Sequence, residues 1–267
     1  MKHIKRGLIA LSLLKNNIKL YIPDILFILI LLVLSVIFLN ITGLSGLAQP
    51  TPEQLTQIIK QDLVKNAIIT GIFILILFLI SIQVSSMKLA MIKNVVKKKK
   101  IIIKEIFDES KTYYTKILSI KLLVLLLFLI PLFIVVVLNF LIKISIIKII
   151  LFTLLTLIWL LIIILLVYKY PILFLSKTKE PINVLKESCK IVLKNKLFTL
   201  FTILTIISMF IISLIITSIF NLLNIQDITS FAMIFNQSIA VVLLLIQITI
   251  YLTISIFLFL SFKELSS

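Results

Sequence analysis

Few side chains in this sequence could transfer protons, attack a substrate or bind a metal. There are ten carboxylates, one histidine and one cysteine in 267 residues. His3 lies in a basic N-terminal tail, and a lone Cys189 rules out an intrachain disulfide and any multi-cysteine metal site. The acids all fall at or beyond the ends of long apolar segments: Asp24, Glu53, Asp62, Glu105, Asp108, Glu109, Glu180, Glu187, Asp227 and Glu264. No catalytic constellation results, so we expect no enzyme activity and no metal or other cofactor.

Hydroxyl and amide side chains in the last two apolar segments are the other groups that could bind a ligand. Ser208, Ser213, Thr217 and Gln247 could line a polar path or hold a lipid headgroup. Gln247 would be the most costly of them to leave facing lipid. The alternative is packing, since serine and threonine in membrane helices mostly bond to their own backbone or to a neighbouring helix.

Lysines form a regular row in the segment PINVLKESCKIVLKNKLF, residues 181–198. In a helix, Lys186, Lys190 and Lys194 share one stripe. An apolar face lies about a quarter turn away and comprises Ile182, Leu185, Cys189, Val192 and Leu193. Such a helix beside a membrane span is expected to lie among the headgroups, with its lysines toward anionic lipid. We call a basic amphipathic segment of this kind an elbow.

Two earlier segments resemble this elbow. Aligning Glu109-Ser110-Lys111 with Glu187-Ser188-Cys189 also brings Lys116 onto Lys194. A looser copy over residues 8–19 contains Lys15-Asn16, which matches Lys194-Asn195. Each elbow precedes two apolar spans, so we expect a threefold elbow-span-span repeat with units of about 4–92, 101–169 and 181–262. The alternative is that a lysine-rich aliphatic composition produces the matches by chance.

Six apolar segments are long enough to cross a hydrocarbon core of about 30 Å, which takes roughly 20 helical residues. They cover about residues 22–39, 67–84, 122–141, 149–167, 197–220 and 239–260, and 61% of the whole chain is hydrophobic. We therefore predict a single polytopic domain over residues 1–267: an all-α integral membrane protein with six transmembrane helices and three amphipathic interfacial elbow helices. Thr51-Pro52-Glu53-Gln54 predicts a small extra helix in the first outer loop, up to about Asn66, which could be a lid.

The distribution of the 27 lysines and arginines predicts the orientation. With the N-terminus inside, only Lys60, Lys65, Lys143 and Lys148 fall on outer segments. The positive-inside rule then puts both termini in the cytoplasm, and we expect the plasma membrane of a prokaryote. Because topology accounts for the net charge of +17, we expect no nucleic-acid partner.

Four consecutive lysines, Lys97, Lys98, Lys99 and Lys100, follow the second span. Each is worth about 1 kcal/mol against an anionic leaflet. We predict that they contact anionic lipid headgroups together with the row of Lys186, Lys190 and Lys194. A purely topological anchor is the simpler alternative for the run of four.

Leu185-Lys186-Glu187-Ser188 followed by Lys194-Asn195-Lys196 and an aromatic-bearing span resembles a set of uncharacterised prokaryotic polytopic membrane proteins. These are similar to the membrane domain of some glycerophosphodiester phosphodiesterases. The resemblance implies a six-helix bundle with interfacial helices, covers most of the chain, and carries over no catalytic residue.

The leading hypothesis is a non-enzymatic membrane-organising or accessory protein that contacts anionic lipid, and it leaves room for a membrane protein partner. The alternative is a permease for a lipid or a small polar solute, through spans five and six. A third class, an enzyme acting on lipid, would require acids from different loops to converge on a polar cavity.

Overall fold

The computed structural model describes residues 2–42, 63–142, 145–222 and 230–266. These residues form nine α-helices and one short 3₁₀ helix, with no strand among them. The helices are α1 (Lys2–Lys15), α2 (Ile22–Ile41), α3 (Leu63–Val96), α4 (Ile103–Leu141), α5 (Ser145–Leu165), α6 (Lys169–Leu175), α7 (Pro181–Lys194), α8 (Lys196–Leu222) and α9 (Ser230–Ser266), with the 3₁₀ helix over Ile18–Tyr21. Residues 51–62 of the predicted helix near Thr51 lie outside the described residues, and its last four residues, 63–66, begin α3.

Six helices are long and apolar enough to cross a membrane, which confirms the prediction of an all-α, six-span fold. They are α2 with the preceding 3₁₀ helix, α3, α4, α5 continuing into α6, α8 and α9. Apolar side chains, aliphatic and aromatic, cover their surfaces, as in a protein surrounded by lipid. Phe140, for example, is 83% exposed and Phe133 is 70% exposed.

Three of the helices are much longer than a bilayer is thick. At 1.5 Å per residue, the 34 residues of α3, the 39 of α4 and the 37 of α9 span about 51, 58 and 55 Å, against a core of about 30 Å. They overlap at one end of the bundle, where α3 and α9 end and α4 begins. We call this the basic end, because α1, α7 and residues 97–102 lie there too.

The hydrophobic core is concentrated at the basic end and surrounds the short helix α6. Pro171, Ile172, Leu173 and Phe174 of α6 are all buried. The Phe174 ring stacks on Tyr113 of α4, with centroids 4.2 Å apart. α6 therefore joins the long helices into one packed body at this end, whereas the opposite half of the bundle exposes mainly aliphatic side chains.

Two of the three elbows form separate helices, and the second does not. α1 and α7 each end before the next span begins, whereas the second elbow continues without a break into the third span as α4. Asn17 and Asn195 follow α1 and α7, and each side-chain amide donates to the carbonyl four residues earlier, of Leu13 and Ile191. Such bonds compete with the helical backbone. Ile117 stands at the position aligned with Asn195, so nothing interrupts α4.

Candidate functional site

The row of three lysines on α7 lies on the exposed side of that helix. Lys186, Lys190 and Lys194 are exposed, as predicted from their spacing. The buried residues of α7 are Val184, Ser188 and Val192, and of these only Val192 belongs to the predicted apolar face. Ile182 and Leu193 remain 56% and 58% exposed beside the lysines. α7 therefore presents both cations and aliphatic groups at its free surface, as a helix lying at a membrane surface does.

The run Lys97 to Lys100 forms an exposed turn that closes α3. The backbone amides of Lys98 and Lys99 donate to the carbonyls of Val95 and Asn94, at 3.0 and 2.8 Å. Lys98 has a φ of 57°, the left-handed conformation in which many helices end. Partial burial lowers the pKa of Lys97, as does the positive charge of Lys93 and Lys99. The four ammonium groups thus project from a fixed turn. We call these four together with Lys186, Lys190 and Lys194 the lysine surface.

Acids compensate only a few of the cations at the basic end. Arg6 pairs with Glu264 at 2.6 Å, Lys93 pairs with Glu109, and Lys111 pairs with Asp108 at 3.1 Å. In the described part of the chain, the lysine surface forms no ion pair. Because it is exposed and uncompensated, the lysine surface can attract anionic groups.

Further lysines surround the aromatic ring of Tyr113 next to this surface. The ammonium groups of Lys93, Lys116 and Lys179 lie 5.8, 5.6 and 5.4 Å from its centroid. Burial lowers the pKa of Lys179, and the charges of Lys93, Lys116 and Lys97 lower it further. The electrostatic potential around Tyr113 is therefore positive, and a positive potential also attracts anions from solution.

A cavity of about 340 Å³ lies between α3, α4, α5, α6, α8 and α9. Three lysines from three different helices line it: Lys88 from α3, Lys121 from α4 and Lys169 from α6. We call it the lysine cavity. Its other polar lining groups are the hydroxyls of Ser85, Tyr170, Tyr251 and Ser255, and the remaining lining residues are apolar.

The three lysines of the cavity have different partners. Lys88 forms an ion pair with Asp24 of α2. Lys121 donates long hydrogen bonds to the hydroxyls of Ser81 and Ser85, at 3.4 and 3.5 Å. Lys169 donates to the carbonyl of Leu166, at 3.4 Å, and its ammonium lies 5.1 Å from the centroid of the Tyr170 ring. Within the described residues neither Lys121 nor Lys169 forms an ion pair.

Three of the four predicted path residues lie together in a second cavity. Ser213, Thr217 and Gln247 line a space of about 440 Å³ between α2, α8 and α9, together with Asp24. We call it the polar cavity. Ser208 lies elsewhere, in an apolar groove against α1. Both Ser208 and Thr217 donate to carbonyls of their own helix, at 2.9 Å, which is the packing alternative for these two residues.

The two cavities adjoin each other at α9. Tyr251 and Ile254 line both. The ion pair between Lys88 and Asp24 spans the same boundary, because Lys88 lines the lysine cavity and Asp24 the polar cavity. The Lys88 ammonium also lies 4.7 Å from the centroid of the Tyr251 ring. Lys88, Asp24 and Tyr251 therefore form the divider between the cavities.

Sequence reasoning missed the lysine cavity because it interpreted Lys88, Lys121 and Lys169 only as markers of topology. One signal was available. Lys88 and Lys121 lie between apolar neighbours, and no acid stands three or four residues away on the same helix. A lysine so placed inside an apolar segment needs a partner from another element or from a ligand.

Comparisons with known protein families, with curated proteins and with solved structures gave no match to this chain. Among the described residues, no group of three or more histidine, cysteine or acidic side chains is placed to hold a metal ion. The functional assignment therefore depends on the geometry of the lysine surface and of the two cavities.

Proposed function

We propose that this multi-pass membrane protein is a non-enzymatic membrane-organising or accessory protein that contacts anionic lipid through its lysine surface. In this proposal the basic end faces the cytoplasm of a prokaryotic cell, and both termini lie on that side. The anionic headgroups of the inner leaflet are the partners, and a membrane protein bound nearby would share the same lipids.

The observation that carries the proposal is the exposed row of Lys186, Lys190 and Lys194, which forms no ion pair among the described residues, beside exposed Ile182 and Leu193. The aliphatic groups gain free energy by entering the acyl region, and the lysines remain among the phosphates. The turn at residues 97–100 adds four further cations at the same end. Each lysine near an anionic surface contributes about 1 kcal/mol.

The test is a measurement of lipid selectivity in vesicles that mix zwitterionic and anionic phospholipid. Spin-labelled analogues of both lipids report the relative association of each with the protein. The parent is expected to prefer the anionic analogue, and Lys190→Gln should weaken that preference more than Lys148→Gln, which changes a lysine at the opposite end of the bundle. Concentrated salt should reduce the preference, since exposed charges are screened. Equal association of both analogues with the parent would contradict the proposal.

A permease for a lipid or a small polar solute is the second candidate, and one observation favours it. Ser213, Thr217 and Gln247 line one cavity, and this polar cavity adjoins the lysine cavity at Tyr251. A solute could then pass between spans five and six. The test is solute or lipid movement into vesicles that contain Gln247→Leu or Ser213→Ala, and flux equal to that of the parent would count against this route.

A further inference from the structure

We propose that the lysine cavity binds a single phosphate group, and that an anionic phospholipid of the surrounding membrane supplies it. This deepens the proposed function, on which it rests, because it adds one specific lipid site to the general lipid contact of the lysine surface. The proposal identifies Lys88, Lys121 and Lys169 as the binding residues.

The charges in the cavity favour an anion. Lys88 has Asp24 as its partner, whereas Lys121 and Lys169 have neutral oxygens at 3.4 to 3.5 Å and one aromatic ring each, at 5.9 and 5.1 Å, but no acid. A cation that is held within an apolar bundle without a counter-charge is costly. The two ammonium groups can together hold the single negative charge of a phosphodiester headgroup such as that of phosphatidylglycerol.

The lysine donors of the cavity also come from three different helices. The three lysines come from α3, α4 and α6, so they reach the cavity from different sides. Lysine binds phosphate as a point charge, and its three donors rotate to suit the oxygens. The hydroxyl of Tyr170 on the same walls can donate to a further oxygen, whereas those of Ser85 and Ser255 already donate to the carbonyls of Ser81 and Tyr251. The volume of about 340 Å³ lies within the range of about 300–1,000 Å³ that is usual for small ligands.

The rim of the cavity indicates a ligand that comes from the membrane. Ile163 of α5 and Tyr251 of α9 line the cavity and are 57% and 56% exposed. Both belong to helices that are apolar enough to span a membrane. A headgroup could therefore enter the lysine cavity while its acyl chains remain against exposed aliphatic side chains. A free phosphate would gain nothing from this rim.

The test is native mass spectrometry of the protein released from detergent after titration with phosphatidylglycerol or phosphatidylcholine. The parent is expected to retain one phosphatidylglycerol and to release phosphatidylcholine. Lys121→Gln and Lys169→Gln should each reduce the affinity for phosphatidylglycerol about tenfold, because a bond to a charged group is worth about 1.5–3 kcal/mol and 1.4 kcal/mol is a factor of ten. Neither change leaves an unpaired acid, so we expect both variants to fold. Lys121→Arg should retain the lipid, and Lys177→Gln, at an exposed lysine outside the cavity, is the control.

Inorganic phosphate, added as a competitor, distinguishes a lipid headgroup from free phosphate as the source of the bound phosphate group. Displacement of the lipid by phosphate supports phosphate recognition at this site. Lysine-dependent phosphate binding without any retained lipid would overturn the membrane as the source. Equal retention of lipid by the parent, Lys121→Gln and Lys169→Gln would overturn the site itself. Failure here is distinguishable from failure of the proposed function, because the lipid selectivity in vesicles depends on Lys190 at the surface.

Discussion

Lys88 of α3 pairs with Asp24 of α2, and the same ammonium group lies 4.7 Å from the centroid of the Tyr251 ring on α9. The two side chains of the pair are only 11% and 15% exposed. This contact therefore joins three spans at the boundary between the two cavities. It also compensates the one acid of the first span, which would otherwise lie against an apolar bundle.

The first prediction concerns this ion pair. Asp24→Asn or Lys88→Gln alone leaves a mostly buried charge without its partner, which typically costs about 3–5 kcal/mol. The double variant removes both charges and should recover most of the lost stability. Thermal unfolding in detergent, analysed as a double-mutant cycle, measures the coupling. Additive losses in the double variant would show that the pair contributes nothing.

The second prediction concerns two serines that the repeat aligns, Ser110 and Ser188, both fully buried. Ser188 donates to the carbonyl of Leu165 on α5 at 2.8 Å, and the side-chain amide of Gln83 on α3 donates to Ser110 at 2.9 Å. Each serine thus contacts the span before its own elbow. Ser188→Ala and Ser110→Ala should each destabilise the protein by about 1 kcal/mol. The control is Ser208→Ala, whose exposed hydroxyl bonds only to its own helix and should change little.

The third prediction concerns the pH dependence of stability. Burial lowers the pKa of His3, and the neighbouring Arg6 lowers it further. The His3 ring lies 4.9 Å from that of Phe198 and its Nδ1 is 3.1 Å from the Arg6 guanidinium, so the neutral form fits better. Because the unfolded chain binds this proton more readily, stability should fall as the pH decreases through and below 6.5. His3→Gln should flatten this part of the profile of unfolding temperature against pH. An unchanged profile would contradict the assignment.

The fourth prediction concerns Cys189, the single thiol of the chain. If the basic end faces the cytoplasm, a membrane-impermeant maleimide should label inverted vesicles and leave intact cells unlabelled. Burial raises the pKa of Cys189, so its labelling rate should increase as the pH is raised from about 7 to 9, since the thiolate is the reactive form. An exposed control thiol, Lys177→Cys in a Cys189→Ser background, should react faster at neutral pH. Labelling of intact cells alone would reverse the orientation.

The six spans could be predicted because a long apolar segment in a membrane must satisfy its own backbone hydrogen bonds, which it does by forming a helix. The breaks after α1 and α7 were not predicted, although an asparagine that bonds back to its helix follows each of them. α4 has Ile117 at the position aligned with Asn195 and continues through it. The lysine cavity could not be predicted, because Lys88, Lys121 and Lys169 are brought together only by the packing of three helices. The threefold repeat stays a prediction.

The most direct test of the central claim is the lipid composition of patches extracted with the protein by a membrane-active polymer. The ratio of anionic to zwitterionic phospholipid in these patches is compared with the ratio in the whole membrane. The lysine surface and the lysine cavity together predict enrichment of anionic lipid around the parent. They also predict less enrichment around a variant that combines Lys186→Gln, Lys190→Gln and Lys194→Gln. A ratio equal to that of the whole membrane, in the parent and the variant alike, would contradict the account.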